Sequence, residues 1–463
     1  MKRIFHRLAR YNQLALRYST QFMEYLQTRF VTPRARIVFM QSIVIWLASF
    51  LVGIVAVVYA RMFAWAEWGC LYWFEHYPKL AFLIFPLFFT LAWWFVNRFA
   101  PSARGSGIPQ LMAAVDLANA QDKRFVGYFL SLKVMAIKII SSLLLVFGGG
   151  ASGREGPTLQ IAGSVFKVVQ DWLPKDWPHV SERIMLMTGG AAGLSAAFNT
   201  PLGGIVFVVE ELSKVHIARF RNFVFTGVII AGMTAQWLNG SYLYLGFPKT
   251  AGGDVKVFAL TMLIAILTGL AGVVFTKMVY QFTRVRERFF GRNSFVWYVA
   301  FLGLLSASLA YFVSPNAMGS GKEVMEHLLF EPDKTIDIAT VAVRFLAPGI
   351  SFSSGAAAGI FAPSLATGAS IGGWIAQWFD LSNGAFNLLV LAGMTAFLSS
   401  VTRSPFTAAI LVLEMTDRHS VIFYLMLAAM LGYLSAYFLE KQGIYDKFKL
   451  DYLKKVADMK NAK

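Results

Sequence analysis

Glycine and proline fall in the middle of stretches apolar enough to cross a bilayer, and they fall there twice in the same order. Apolar runs lie near residues 37–65, 79–98, 128–150, 186–211, 221–246, 256–284, 294–313, 340–378, 386–413 and 421–439. A perpendicular membrane helix needs roughly 20 residues, so the longest runs predict tilted helices or pairs of partial helices. The interruptions are Gly148-Gly149-Gly150, Gly153 to Pro157, Pro201-Leu202-Gly203-Gly204 and Gly359 to Pro363. Backbone groups freed by such breaks survive in a bilayer only where protein buries them or a polar cavity receives them. The expected fold class is an all-α integral membrane protein built of tilted and broken helices, a transporter's pattern more than an anchor's.

The breaks belong to an internal repeat. Gly105-Ser106-Gly107 returns as Gly319-Ser320-Gly321, and Gly153-Arg154-Glu155-Gly156-Pro157 returns as Gly359-Ile360-Phe361-Ala362-Pro363. A third block aligns Ala192, Leu194, Ser195 and Pro201 with Ala396, Leu398, Ser399 and Pro405, with Glu210 and Glu414 each nine residues further on. We divide the chain into a cytoplasmic amphipathic N-terminal helix (1–35), a first transmembrane repeat (36–250), a second (251–440) and a cytoplasmic C-terminal segment (441–463). Duplicated transporters often place their site where broken helices of the two repeats meet. The spacing leaves open whether the halves run parallel or inverted.

Charge decides between a membrane and a nucleic-acid reading. The 463 residues are 57% hydrophobic and only 14% charged, yet the net charge is +17. Eleven of those charges sit in the two tails, residues 1–36 and 441–463. Basic flanks of apolar segments are the mark of cytoplasmic ends, so both termini are expected inside the cell and the number of crossings even. The N-terminal stretch alternates apolar residues with arginines, which fits a helix on anionic lipid or a solvated basic helix, and not a cleaved signal peptide. The lipid bilayer is thus an expected partner and nucleic acid is not. Cys70 is the single cysteine, so neither a disulfide framework nor a cysteine metal cluster is available. No cofactor and no metal are expected.

The helix starts carry the chemistry. Proline suits the first turn of a helix, and glycine lets the preceding chain turn sharply, so Gly153 to Pro157 reads as a helix beginning inside the membrane. Its first N–H groups and positive dipole end call for an anion or another acceptor. Gly359 to Pro363 repeats the design without a carboxylate, and Gly105-Ser106-Gly107-Ile108-Pro109 adds a start with a hydroxyl, which also reads as a simple cap. Partial charges suit an ion that must leave again, whereas a full Lys or Arg charge would hold it. Glu155 is an intramembrane carboxylate and so a functional candidate by default. It stands where the helix end wants an anion, so it can fill the site when ionised and vacate it when protonated. Arg154 is also a simple ion-pair partner for it. Glu210 and Glu211 point about 100 degrees apart around a helix, so one can face inward and the other solvent. Lys138 reads as a structural counter-charge.

On these residues, together with Ala196-Ala197-Phe198-Asn199-Thr200-Pro201, the sequence resembles the CLC family of chloride channels and proton-coupled chloride antiporters, from about residue 36 to 450. The resemblance implies two inverted-topology repeats, a homodimer with one pore per subunit, and a bacterial-type protein without the cytoplasmic regulatory modules of many eukaryotic members. It implies that Ser106 and Tyr445 coordinate the central anion through hydroxyls and Ile360 and Phe361 through amides. It assigns gating to Glu155, internal proton transfer to Glu211, and pore lining near the outer sites to Phe352. Serine at 106 implies chloride. Two departures stand out: Gln110 replaces the usual acid after the first motif, and Ala356-Ala357-Ala358 replaces a glycine- and proline-rich approach to the third.

The expected function is therefore exchange of chloride for protons across the inner membrane by a multi-pass protein. The alternative is a passive channel of the same fold, against which Glu211 argues. An enzyme is not expected: the six histidines show no His-Glu-x-x-His spacing, and neither a Gly-x-Ser-x-Gly elbow nor an aspartyl dyad is found. Gly319-Ser320-Gly321-Lys322 lacks the earlier glycine of a phosphate loop, since Asn316 stands there. A cation carrier is disfavoured because helix starts present donors.

Overall fold

The computed structural model describes residues 32–174, 176–212, 221–240, 243–289 and 295–461. Most of the amphipathic segment expected over 1–35 lies outside the described residues. The first half comprises α1 (Pro33–His76), α2 (Ala81–Phe99), α3 (Ile108–Leu117), α4 (Leu132–Phe147), α5 (Glu155–Asp171), α6 (Glu182–Phe198), α7 (Pro201–Phe207, continued by a π turn over Val208–Leu212) and α8 (Arg221–Asn239). The second comprises α9 (Val255–Phe289), α10 (Phe295–Phe312), α11 (Lys322–Phe330), α12 (Ile338–Ser353), α13 (Phe361–Ala376), α14 (Asn383–Thr402), α15 (Pro405–Thr416), α16 (Ile422–Tyr437) and α17 (Ile444–Asn461).

Seven helical stretches among the described residues are long and apolar enough to cross a membrane. Three of the longest apolar runs resolve into pairs of partial helices. The run over 186–211 breaks where Asn199 turns left-handed (φ 58°) ahead of Pro201, and the run over 386–413 breaks identically where Arg403 (φ 69°) precedes Pro405. The third, over 340–378, breaks between α12 and α13, and α8 stops at Asn239, short of the expected 246. The core is centred on α14, whose apolar window is 94% buried. It closes on α13 through Gly368 and Gly393, each facing the other's backbone with no room for a methyl group, as membrane helices in close contact require.

The orientation that spacing left open is settled by α7 and α15. Glu414, near the end of α15, accepts from the Leu202 and Gly203 amides at the start of α7 (3.0 and 2.6 Å). Glu210, past the end of α7, accepts from the Phe406 and Thr407 amides at the start of α15 (3.1 and 2.7 Å) and from the Thr407 hydroxyl (2.7 Å). Equivalent helices of the two repeats thus lie antiparallel and cap each other, so the repeats are inverted. Glu210 is a cap rather than a solvated acid.

Contacts also sort the structure into two faces. Gln41 in α1 donates to the His179 carbonyl at 2.9 Å, Glu182 pairs with Lys123 at 3.8 Å, and Asp122 pairs with Lys460 in α17. The start of α1 and the C-terminal helix therefore share one face. The Lys460 ammonium bonded to Asp122 holds that carboxyl below the usual carboxylate range. Helix α1 runs roughly 66 Å at 1.5 Å per residue, so Glu67 near its far end marks the opposite face.

Candidate functional site

Three helix starts meet between the repeats. Gly105 (φ 67°) and Gly107 (φ 107°) turn the chain sharply on either side of Ser106 and aim α3 inward, a conformation that glycine adopts without Cβ strain. A Cβ at Gly107 would lie 2.7 Å from the Gly156 carbonyl oxygen, and one at Gly156 would strike Ser106 Oγ, so α3 and α5 touch end to end. Helices α5 and α13 are joined just upstream by an antiparallel bridge, Gly153 N donating to Gly359 O at 2.9 Å. Gly359 N donates in turn to Ser152 Oγ at 2.9 Å. Each such helix end carries roughly half a positive charge and N–H groups with no partner inside the helix.

The predicted side chains gather there. Ser106 and Tyr445 are both 1% exposed. Among the described residues neither hydroxyl has a hydrogen-bond partner. Ile360 is the N-cap of α13 and Phe361 its first residue, which puts their amides at the helix end. Glu155 is 1% exposed and lies at the start of α5 near the Ala362 amide, with both carboxylate oxygens lacking a hydrogen-bond partner among the described residues. Buried polar atoms are normally satisfied, and unsatisfied ones cluster where a protein works. Glu211 is buried in the π turn after α7 and accepts from Ser404 Oγ. Tyr445 stands close enough to both Glu155 and Glu211 to feel each charge.

Phe352 lies beside the turn that carries Ser106. Its ring packs on Phe448 of α17 at 5.1 Å and closes over Gly105. It lines a small cleft with Arg104, Arg284, Lys455 and Asp451, which opens toward the face of the C-terminal helix and not toward the Glu155 side. The cleft is net basic, a charge balance that favours anions in it.

Several supporting residues are only partly legible in the sequence. Lys138 is fully buried, but its ammonium faces carbonyls rather than a carboxylate, donating to Ala103 O (2.9 Å) and Gly105 O (2.6 Å). It clamps the turn that presents Ser106. Arg154 reaches α1, donating to Ala60 O at 3.1 Å. Gln110 accepts from Gly107 N (3.1 Å) and donates to Ser102 O, Arg104 O and Tyr452 Oη. A carboxylate could not donate to those carbonyls, which accounts for the amide here. Of the three alanines, Ala356 O accepts from Gly105 N (2.8 Å) and Ala358 N donates to Gly105 O (3.1 Å). Only Gly355 before them needs a positive φ (82°), so alanine costs the approach nothing.

The profile of the family described as voltage gated chloride channel matches residues 88–437. The H(+)/Cl(-) exchange transporter ClcA of Salmonella agona is 32% identical over 452 residues, covering 91% of this chain and 89% of its own. The ClcA of Klebsiella pneumoniae is 31% identical over 441 residues, covering 89% and 88%. Among solved structures, a slow cyanobacterial Cl-/H+ antiporter superposes with a TM-score of 0.77 at 24% identity, covering 90% of this chain and 98% of that one. A CLC-type fluoride/proton antiporter superposes at 0.75 with 19% identity, covering 89% and 98%. The inverted repeats, the three converging helix starts and these matches together make the chain a member of the voltage-gated chloride channel family, CLC.

Proposed function

We infer that this protein is a proton-coupled antiporter that exchanges chloride for protons. The observation that carries the reading is Glu155: a buried carboxylate at the meeting point of helix N-termini, with no hydrogen-bond partner among the described residues, accompanied by a second buried carboxylate, Glu211, in the π turn after α7. An anion in this space takes hydrogen bonds from Ser106, Tyr445 and the amides of Ile360 and Phe361. No full cation need touch it, so it can leave as readily as it arrives. The ionised Glu155 carboxylate competes for the same donors. Protonation removes its charge and its claim on them, so the ionised carboxylate and the anion exclude one another and anion occupancy goes with proton uptake at Glu155. Glu211 relays protons toward the face of the C-terminal helix, away from the Phe352 cleft through which chloride passes. The relatives' names as H(+)/Cl(-) exchangers support this reading.

We place the protein in the inner membrane with the C-terminal face cytoplasmic, following the basic tails, and expect a homodimer. No cofactor is assigned. Purified protein in chloride-loaded vesicles tests the function directly: an imposed proton gradient is expected to drive chloride uphill. Chloride flux without proton-driven accumulation would instead make it a passive channel.

A further inference from the structure

The second repeat contains its own Gly-Ser-Gly turn, and the transport reading makes no use of it. Gly319 (φ 67°) and Gly321 (φ 85°) bend the chain as Gly105 and Gly107 do, and Gly321 N-caps α11 as Gly107 N-caps α3. Lys138 and Arg344 are each the seventh residue of equivalent helices, α4 and α12. Arg344 clamps its turn just as Lys138 does, donating to Met318 O and Gly319 O. The turn opens into a cavity of about 240 Å³ on the face opposite α17, lined by Glu67, Ser320, Lys322, Glu323, Glu326 and Arg344 among others.

Two features separate this turn from its counterpart. Arg344 is 2% exposed, lines the cavity, and keeps its Nε without a hydrogen-bond partner among the described residues. Its guanidinium stands over the helix start, since a Cβ at Gly321 would lie 2.7 Å from Nη1. Secondly, a carboxylate is already in place: Glu67 of α1 accepts from Ser320 N at 2.5 Å. A helix start, an amide and a buried guanidinium with an unused N–H form a donor set for a small anion.

We propose that the Gly319-Ser320-Gly321 turn is a second anion site on the opposite face, with the Glu67 side chain serving as its built-in occupant and a halide-sized monovalent anion taking its place when that carboxylate is removed. The full charge of Arg344 makes it a site of retention rather than passage. Glu323 and Glu326 also line the cavity, and Lys322 offsets Glu326 by an ion pair at 3.1 Å. With Glu67 ionised, the acids outnumber the cations and exclude a further anion. Without it, the two signs balance.

The test compares the full-length wild type with Glu67→Ala. Crystals grown in bromide are expected to show an anomalous peak within hydrogen-bonding distance of Ser320 N and Arg344 in the variant and none there in the wild type. In detergent, replacing gluconate by chloride at constant ionic strength is expected to raise the variant's Tm more steeply than the wild type's, and acetate to do the same. Should Glu67→Ala fail to fold, Glu67→Asn, too short to reach Ser320 yet polar, serves the same purpose. A variant without a bromide peak and with the wild type's halide dependence overturns the proposal, as does a bromide peak at Ser320 in the wild type.

Discussion

The two Gly-Ser-Gly turns are built alike and electrostatically opposed. Around Ser106, a cleft lined by α9 and α17 carries Arg104, Arg284 and Lys455 against Asp451. Around Ser320, a cleft lined by α1 and α11 carries Glu67, Glu323 and Glu326 against Lys322 and Arg344. Each turn is held by a buried cation on its carbonyls, and each ends in a helix N-terminus. Duplication thus supplied two donor sets, one at each face. The charges on the neighbouring helices decide which of them an ion from solution can reach. The same division holds one motif later, where the first repeat starts α5 with Glu155 and the second starts α13 with Phe361.

Removing that division is expected to have the largest effect. Glu155→Gln makes the first start as uncharged as the second, and proton flux should fall to the leak level while chloride flux persists, measured together in vesicles. Retained coupling would show that the carboxylate is not the competitor. Glu211→Gln should uncouple likewise; coupling at the wild-type ratio would break its assignment. Lys138→Met orphans Ala103 O and leaves Gly105 O only its bond from Ala358 N, whereas Arg344→Met orphans both Met318 O and Gly319 O; at about 1–3 kcal/mol per orphaned carbonyl, thermal unfolding in detergent should show a loss for each and the larger for Arg344→Met. Only the former should also weaken chloride binding by calorimetry, because only its turn presents Ser106. The smallest effects are expected at the reciprocal caps: Glu210→Gln and Glu414→Gln should each cost roughly 0.5–1.5 kcal/mol, with Glu210 the larger since it accepts one more hydrogen bond. A large asymmetry in melting temperature would show that the caps are not equivalent.

The sequence made the helix starts legible because glycine and proline act locally. Pro109, Pro157, Pro201, Pro363 and Pro405 each mark a first turn in the structure, and the site residues Ser106, Glu155 and Phe361 travel with them. Glu211 is legible only as one of a pair with Glu210, and Tyr445 only through resemblance, because their place in the site depends on how α17 and the π turn pack. The direction of the Phe352 cleft, the capping by Glu210 and Glu414, and the bond from Ser320 to Glu67 escaped, since they join residues about 100 to 250 positions apart. One signal was available: Lys138 and Arg344 are both intramembrane cations at matching helical positions, and reading them as a pair would have pointed to the second turn.

The stitching between the repeats limits how this protein can move. Gly105 with Ala356 and Ala358, Gly153 with Gly359, Gly359 with Ser152, Ala151 with Ser351 and Ala357 with Ser141 make six hydrogen bonds between the repeats. Parting them would cost roughly 3–9 kcal/mol at 0.5–1.5 kcal/mol per bond. A rocker mechanism, in which the halves swing about a central hinge, would have to tear this seam on every turnover. Exposure of the ion to alternate sides must come instead from rotamer changes and slight helix adjustments around a stationary frame.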